Sequence, residues 1–134
     1  MKYLLDTNIC IYLIKRSSSA VRRRLEAQAI EDIGVSAITV AELQYGVSKS
    51  RAPQRNQDAL DEFLLPVGIL PFDAAAAVTF GAIRATLESE RQVIGPYDLL
   101  IAACALSNSL TLVTNNMAEF ARVPRLLIED WTQA

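Results

Sequence analysis

Asp6, Glu42 and Asp98 are isolated acids set against apolar surroundings, and a polar turn, Thr114-Asn115-Asn116 with Glu119 close behind, gathers further donor oxygens. The chain contains no histidine. Imidazole acid–base chemistry, Ser-His-Asp and Cys-His nucleophiles and His-ligated zinc are thereby excluded. What remains is chemistry by carboxylates, hydroxyls, amides and a metal. Carboxylates brought within a few ångströms of one another repel unless a cation lies between them. Oxygen-only donors select a hard ion, Mg²⁺ or Mn²⁺. Such an ion activates water and neutralises charge growing on a phosphate oxygen, which is phosphodiester hydrolysis by one or two metals. Whether these acids meet depends on the elements that carry them.

The segment 2–8 (KYLLDTN) is a short apolar run that stops at an acid, the pattern of a buried strand in a parallel sheet. Asp6 then stands at the strand's carboxyl end, where open α/β sheets place their ligands. It has a second reading, as the N-cap of a helix over 7–16. A break at Ser17-Ser18-Ser19 introduces a helix over 20–30, with Val21, Leu25 and Ile30 on one side and Arg22-Arg23-Arg24 on the other. The arginine run reads as a solvated face or as a local phosphate contact. Ile33-Gly34-Val35-Ser36 is a second strand, and the helix 37–48 carries Ile38, Ala41, Glu42 and Tyr45 on one face. A carboxylate in that stripe is either a half-exposed, snorkelling side chain or a functional one.

A basic turn (KSRAPQRNQ, 49–57) leads into a helix over 54–65, and a third strand runs over 67–70. Asp73 reads as the N-cap of a long helix, 74–90, and carries no chemistry. Gly95-Pro96-Tyr97-Asp98 opens another helix, with Asp98, Ile101, Ala102 and Ala105 on one face. There Asp98 is either a favourable partner of the helix dipole or a site residue. A fourth strand over 110–113 ends in the TNN turn, and 126–128 is a candidate edge strand. Strand–helix alternation of this kind predicts one compact α/β domain over 1–134, with a mostly parallel sheet. Parallel strands share one carboxyl edge, so Asp6, Asp98 and the Asn116/Glu119 turn converge there, with Glu42 reaching in from its helix.

Composition narrows the partners. With 13 Lys and Arg against 15 Asp and Glu, the net charge of −2 gives no global basic field for nucleic acid, so any such contact is local. Cys10 and Cys104 sit inside apolar helical patterns and read as reduced core residues of a cytosolic protein. No apolar run reaches the roughly 20 residues of a membrane span, and Asp6 interrupts the first apolar stretch before a signal-peptide core can form. The expectation is a cytoplasmic chain with no membrane partner.

The segments LLDTN (4–8), SAITVAELQYGV (36–47), GPYDLLIAACAL (95–106) and LVTNNMAEFARVPRLLIEDW (112–131) closely resemble the PIN-domain ribonuclease toxins of bacterial VapBC modules. The similarity runs through essentially the whole chain, in order. It implies a PIN-like three-layer α/β/α fold, a Mg²⁺-dependent endoribonuclease acting on RNA such as tRNA, and inhibition by a cognate VapB antitoxin. DNA would be met only through that antitoxin. Asp6, Glu42 and Asp98 match the acids of the family's metal site, and Thr7, Asn8 and Thr114 match its supporting polar positions. At the fourth family position, often Asp, this chain has Asn116, and the resemblance implies Glu119 as the source of the missing charge. That departure implies one tightly held Mg²⁺ and a weaker second site. The resemblance also implies a homodimer, for which the alanine-rich helix pair could serve, and an antitoxin segment that lays an apolar helix in a groove and aims a basic side chain at the carboxylates. Lys49, Arg51, Arg55 and the Arg22–Arg24 run are candidate RNA-backbone contacts.

Two other functions compete with this one. A non-catalytic co-repressor subunit of a DNA-bound complex would not need intact acids at all three positions. A haloacid-dehalogenase-like phosphatase also ends its first strand in Asp, but that mechanism wants a second acid two residues on, and position 8 is Asn.

Overall fold

A computed structural model describes residues 1–133. Its elements run β1 (Tyr3–Leu5), α1 (Thr7–Lys15), α2 (Ser19–Glu26), β2 (Ile33–Ser36), α3 (Ala37–Ser48), α4 (Pro53–Leu64), β3 (Gly68–Leu70), α5 (Ala74–Ser89), α6 (Pro96–Ser107), β4 (Thr111–Val113), α7 (Met117–Phe120) and β5 (Ile128–Glu129). The five strands form one sheet in the order β3-β2-β1-β4-β5. Every pairing in it is parallel, so the expected mostly parallel sheet is parallel throughout.

Side-chain alternation along the strands divides the core in two. Leu4 and Leu112 face a cluster built with Ile83, Leu87, Leu99 and Ile101 of α5 and α6. Leu5, Val35 and Val113 face the other way, toward Ile9, Cys10, Val21, Leu43 and Leu60 of α1 to α4. Helices therefore cover both faces of short strands, giving the three-layer α/β/α arrangement. Both cysteines are buried and free, as their apolar patterns suggested.

Two expected boundaries move. The second helix stops at Glu26 instead of continuing to residue 30, and Ile30 begins a 3₁₀ turn with 44% of its surface exposed. Ala29 takes an extended conformation there, because the chain must climb back to the sheet: Asp32 O accepts from Lys2 N at 2.9 Å as β2 enters beside β1. The edge strand falls at Ile128–Glu129 instead of 126–128. Its register is set by Leu127 O and Glu129 O, which accept from Leu112 N and Thr114 N. Trp131 then closes the sheet edge. It is fully buried, edge-on to Tyr3 at 5.2 Å, and its indole N–H donates to Glu129 at 2.9 Å.

Candidate active site

The strand order reverses at β1. From β1 the chain moves outward through β2 to β3, then returns through α5 and α6 to β4 on the other side. Such a switch point opens a crevice beyond the carboxyl ends of the central strands. Asp6 follows β1 directly and Thr114 follows β4, so both stand at that crevice.

Asp6 is 4% exposed and fulfils both of its readings at once. Its Oδ1 accepts from Ile9 N at 3.0 Å, capping α1, while Oδ2 accepts from the Thr114 hydroxyl. Burial raises its pKa; the Thr114 hydroxyl and the N–H groups of Ile9 and Asn8 oppose the rise, and the Glu42 charge adds to it. Thr114 is itself fully buried and accepts from Asn116 N at 2.9 Å, tying the β4 turn to the first acid.

Glu42 is half-buried, on the open side of α3; that helix buries Thr39 and Leu43. The Thr7 hydroxyl donates to Glu42 Oε1 at 2.7 Å and is in hydrogen-bonding contact with the Thr39 hydroxyl at 3.2 Å. Thr39 in turn contacts Ser36 Oγ at 3.4 Å, and Ser36 Oγ caps α3 by accepting from Thr39 N at 3.0 Å. Ser36 and Thr39 are 1% and 0% exposed, so a chain of buried hydroxyls ties Glu42 to the end of β2. Sequence reasoning passed over these two residues. The Ser-x-x-Thr spacing at the helix start was the signal that could have found them.

Asp98 lies in the first turn of α6, half-buried, with its pKa raised to about 7. Burial is the main cause; the charge and hydrogen bond of Glu119 come next, then the charges of Asp6 and Glu42. Glu119 is held on its other sides by Gly95 N at 2.7 Å and by the Asn116 amide. Asn116 and Glu119 are thus joined: the amide orients the carboxylate, and Glu119 brings the negative charge next to Asp98. Asn115 turns away and donates to the Tyr12 hydroxyl at 2.9 Å.

The acids at 6, 42, 98 and 119 feel one another's charge, but among the described residues no three of them approach closely enough to form a ready metal cage. The expectation of three carboxylates within a few ångströms is corrected to that extent. The physical reason lies in the donors: Asp6, Glu42 and Asp98 are each drawn to a different partner, a hydroxyl, a second hydroxyl and a carboxyl respectively. The donor set is nonetheless all oxygen, and fits a hard divalent ion.

Beside the crevice runs a groove of about 950 Å³ between α1, α3 and α4, lined by Thr7, Ile11, Lys15, Glu42, Tyr45 and Tyr97 among others. Lys49 also lines it, whereas the Arg22–Arg24 run does not. Arg24 is engaged elsewhere, 3.2 Å from Glu129 and stacked over Trp131 at 5.6 Å, and Arg22 pairs with Glu26.

A sheet with this strand order, a switch-point crevice and acids just after β1 and on α3 and α6 defines a class, and comparison with known proteins gives its family. Residues 3–126 match the PIN domain, and the chain belongs to the PIN-domain family. It is 46% identical over 132 residues to ribonuclease VapC2 of Rickettsia felis, covering 98% of each chain. It is 42% identical to the tRNA(fMet)-specific endonuclease VapC of Shigella flexneri, covering 98% of this chain and 99% of that one. The structure superposes on DNA-bound VapBC from Salmonella typhimurium with a TM-score of 0.93 at 42% identity, covering 98% of both chains. In all these alignments the match extends over nearly the full length.

Proposed function

We propose that this protein is the toxin of a VapBC module: an endoribonuclease that uses Mg²⁺, with Mn²⁺ as a substitute, and is held inactive by a cognate VapB antitoxin. One observation carries the reading. Three acids separated by 36 and 56 positions in sequence are delivered by three different elements to one crevice, where their charges interact. Repulsion of this kind raises carboxylate pKa values and favours a cation that relieves it. Full-length similarity to proteins named ribonuclease and tRNA endonuclease supports RNA, and tRNA in particular, as the substrate.

In this reading Asp6, Glu42 and Asp98 hold the ion. A bound hard cation supplies Lewis-acid activation of water and stabilises charge on the phosphate oxygens. The chain's own residues do the rest. Thr114 and the α1 N-terminus keep Asp6 oriented, Thr7 holds Glu42 toward the crevice, and Glu119, steadied by Asn116 and Gly95, completes the acidic wall beside Asp98. With Asn116 in place of an acid, a second ion would be held more weakly than the first.

The groove between α1, α3 and α4 is the seat for an apolar antitoxin helix, and Glu42 at its end would receive a basic antitoxin side chain. Relatives have been seen as DNA-bound VapBC complexes, that of Rickettsia felis on a DNA fragment from its promoter, which supports DNA contact by way of the antitoxin. For the homodimer, α5 offers an apolar exposed stripe through Ala74, Val78 and Ala85. No helix of the described residues is long and apolar enough to cross a membrane, and the protein would act on RNA in the cytoplasm.

The test is cleavage of total RNA and of purified tRNA by the isolated protein with Mg²⁺, with EDTA, and in Asp6→Asn and Asp98→Asn variants. Cutting that needs the metal and both acids, and that added antitoxin stops, supports the proposal. A folded, antitoxin-free protein that cuts no RNA under any of these conditions would instead favour the co-repressor reading.

A further inference from the structure

Only two aromatic side chains among the described residues are exposed, Tyr45 at 66% and Tyr97 at 60%. Both line the same groove, and each is tied to a different site acid. Tyr97 directly precedes Asp98 at the start of α6. Tyr45 lies one turn beyond Glu42 on α3, the neighbour position on the same helix face. Lys49, a further turn along, places its ammonium 4.9 Å over the Tyr45 ring, and Lys15 lines the groove as well. Among the described residues the tyrosines have no aromatic stacking partner, and neither hydroxyl hydrogen-bonds to another side chain. Core packing therefore does not explain their placement.

An open π-face next to a cation is the combination by which proteins hold unpaired nucleotides: bases stack on the ring and the backbone phosphate meets the charge. Charge complementarity points the same way, because the lysines give this part of a net-negative chain a local positive rim. We propose that Tyr97 and Tyr45 are base-stacking residues that grip unpaired nucleotides next to the scissile phosphate. The inference rests on the ribonuclease reading above and adds to it the platform that positions the substrate. A paired duplex keeps its bases stacked on one another and offers these rings nothing. An antitoxin helix seated in the groove would cover the same two rings and so exclude RNA.

The test is equilibrium binding, by fluorescence anisotropy, of a short labelled single-stranded oligoribonucleotide to the full chain in Ca²⁺. A duplex of the same sequence serves as the control. Tyr97→Leu and Tyr45→Leu should each weaken single-strand binding by about 5- to 150-fold. The corresponding Phe variants, which keep the ring and lose the hydroxyl, should bind as the unmodified protein does. Duplex binding should be indifferent to all four. In cleavage, an oligonucleotide with an abasic ribose beside the cut should be a poor substrate for the unmodified protein. Tyr97→Leu should show no further loss on it. Unchanged single-strand binding by both Leu variants overturns the proposal and leaves the tyrosines to the protein partner. Equal weakening of single-strand and duplex binding overturns it too, assigning them to general backbone contact. Failure of the ribonuclease reading itself would look different: the unmodified protein would cut no RNA, whatever the tyrosine variants bind.

Discussion

Asp6 and Asp73 do the same local job in different parts of the molecule. Each ends a strand region, each caps the next helix, and each accepts from the N–H three residues on, at 3.0 and 2.9 Å. Asp73 follows β3 at the edge of the sheet and stays exposed, and its carboxylate has only that task. Asp6 follows the central strand, at the switch point, and its second oxygen is bonded by a hydroxyl from the neighbouring strand. Burial and a nearby acid raise its pKa. An aspartate at a helix start is free of further duties at a sheet edge, but is placed to take part in a site when the sheet puts it where two strand ends open a crevice.

The sharpest way to break this contrast is to change both acids. Asp6→Asn keeps a capping side chain, so the fold should persist, while RNA cleavage should fall by about 10³-fold or more through loss of several kcal/mol of metal-dependent stabilisation. Circular dichroism beside a cleavage assay checks it; a variant that folds and still cuts at full rate would remove Asp6 from the site.

Asp98 should give the next largest effect, and with opposite signs on activity and stability. Its folded pKa of about 7 lies above the ordinary value of 3.8, so between those values the folded state binds more protons than the unfolded chain. Stability therefore declines as pH rises through that window. Asp98→Asn should stabilise the protein above pH 7 by about 1–2 kcal/mol, a figure reduced for solvent screening at a half-exposed group, and should leave it inactive. Mg²⁺ binding should strengthen as pH rises toward 7, where the proton leaves, and Glu119→Gln should move that rise to lower pH. Thermal melts and calorimetric Mg²⁺ titrations across pH 5 to 8.5 measure both trends. A flat Mg²⁺ affinity over that range would count against the Asp98–Glu119 pairing.

Thr7→Val removes the 2.7 Å hydrogen bond to Glu42 and should slow cleavage by about 10- to 150-fold, since a hydrogen bond to a charged group contributes about 1.5–3 kcal/mol. Thr7→Ser should recover most of the rate, which a purely steric role would not predict. The smallest effect belongs to the second cap. Asp73→Ala should cost about 1 kcal/mol in denaturant unfolding and leave the cleavage rate per folded molecule unchanged. If it slowed cleavage, Asp73 would have a part in the site that its position at the sheet edge does not suggest.

Much of the architecture is legible in the sequence. Short apolar runs ending in an acid or in Ser-Thr-Asn clusters marked β1, β2 and β4, because a strand covered on both faces must be apolar and its exit must begin a helix. The boundaries that moved, at Ile30 and at the last strand, are places where the chain's need to reach the sheet edge overrides a local apolar pattern. Arg24 shows the same limit. Its run reads as a surface charge cluster, but the partners that occupy it, Glu129 and Trp131, lie more than a hundred residues away.

By itself the sequence determined the kind of chemistry open to this protein: with no histidine and two buried cysteines, oxygen donors and a hard cation are what remain. It also determined which acids stand at element boundaries, since capping and strand termination are local. Tertiary structure decided which of those acids share a crevice, because only the strand order sets Asp6 beside Thr114 and away from Asp73. It decided as well that Glu119, steadied by the Asn116 amide, is the acid facing Asp98. That choice depends on how the α7 turn meets the start of α6, a contact between segments more than twenty residues apart that no local pattern encodes.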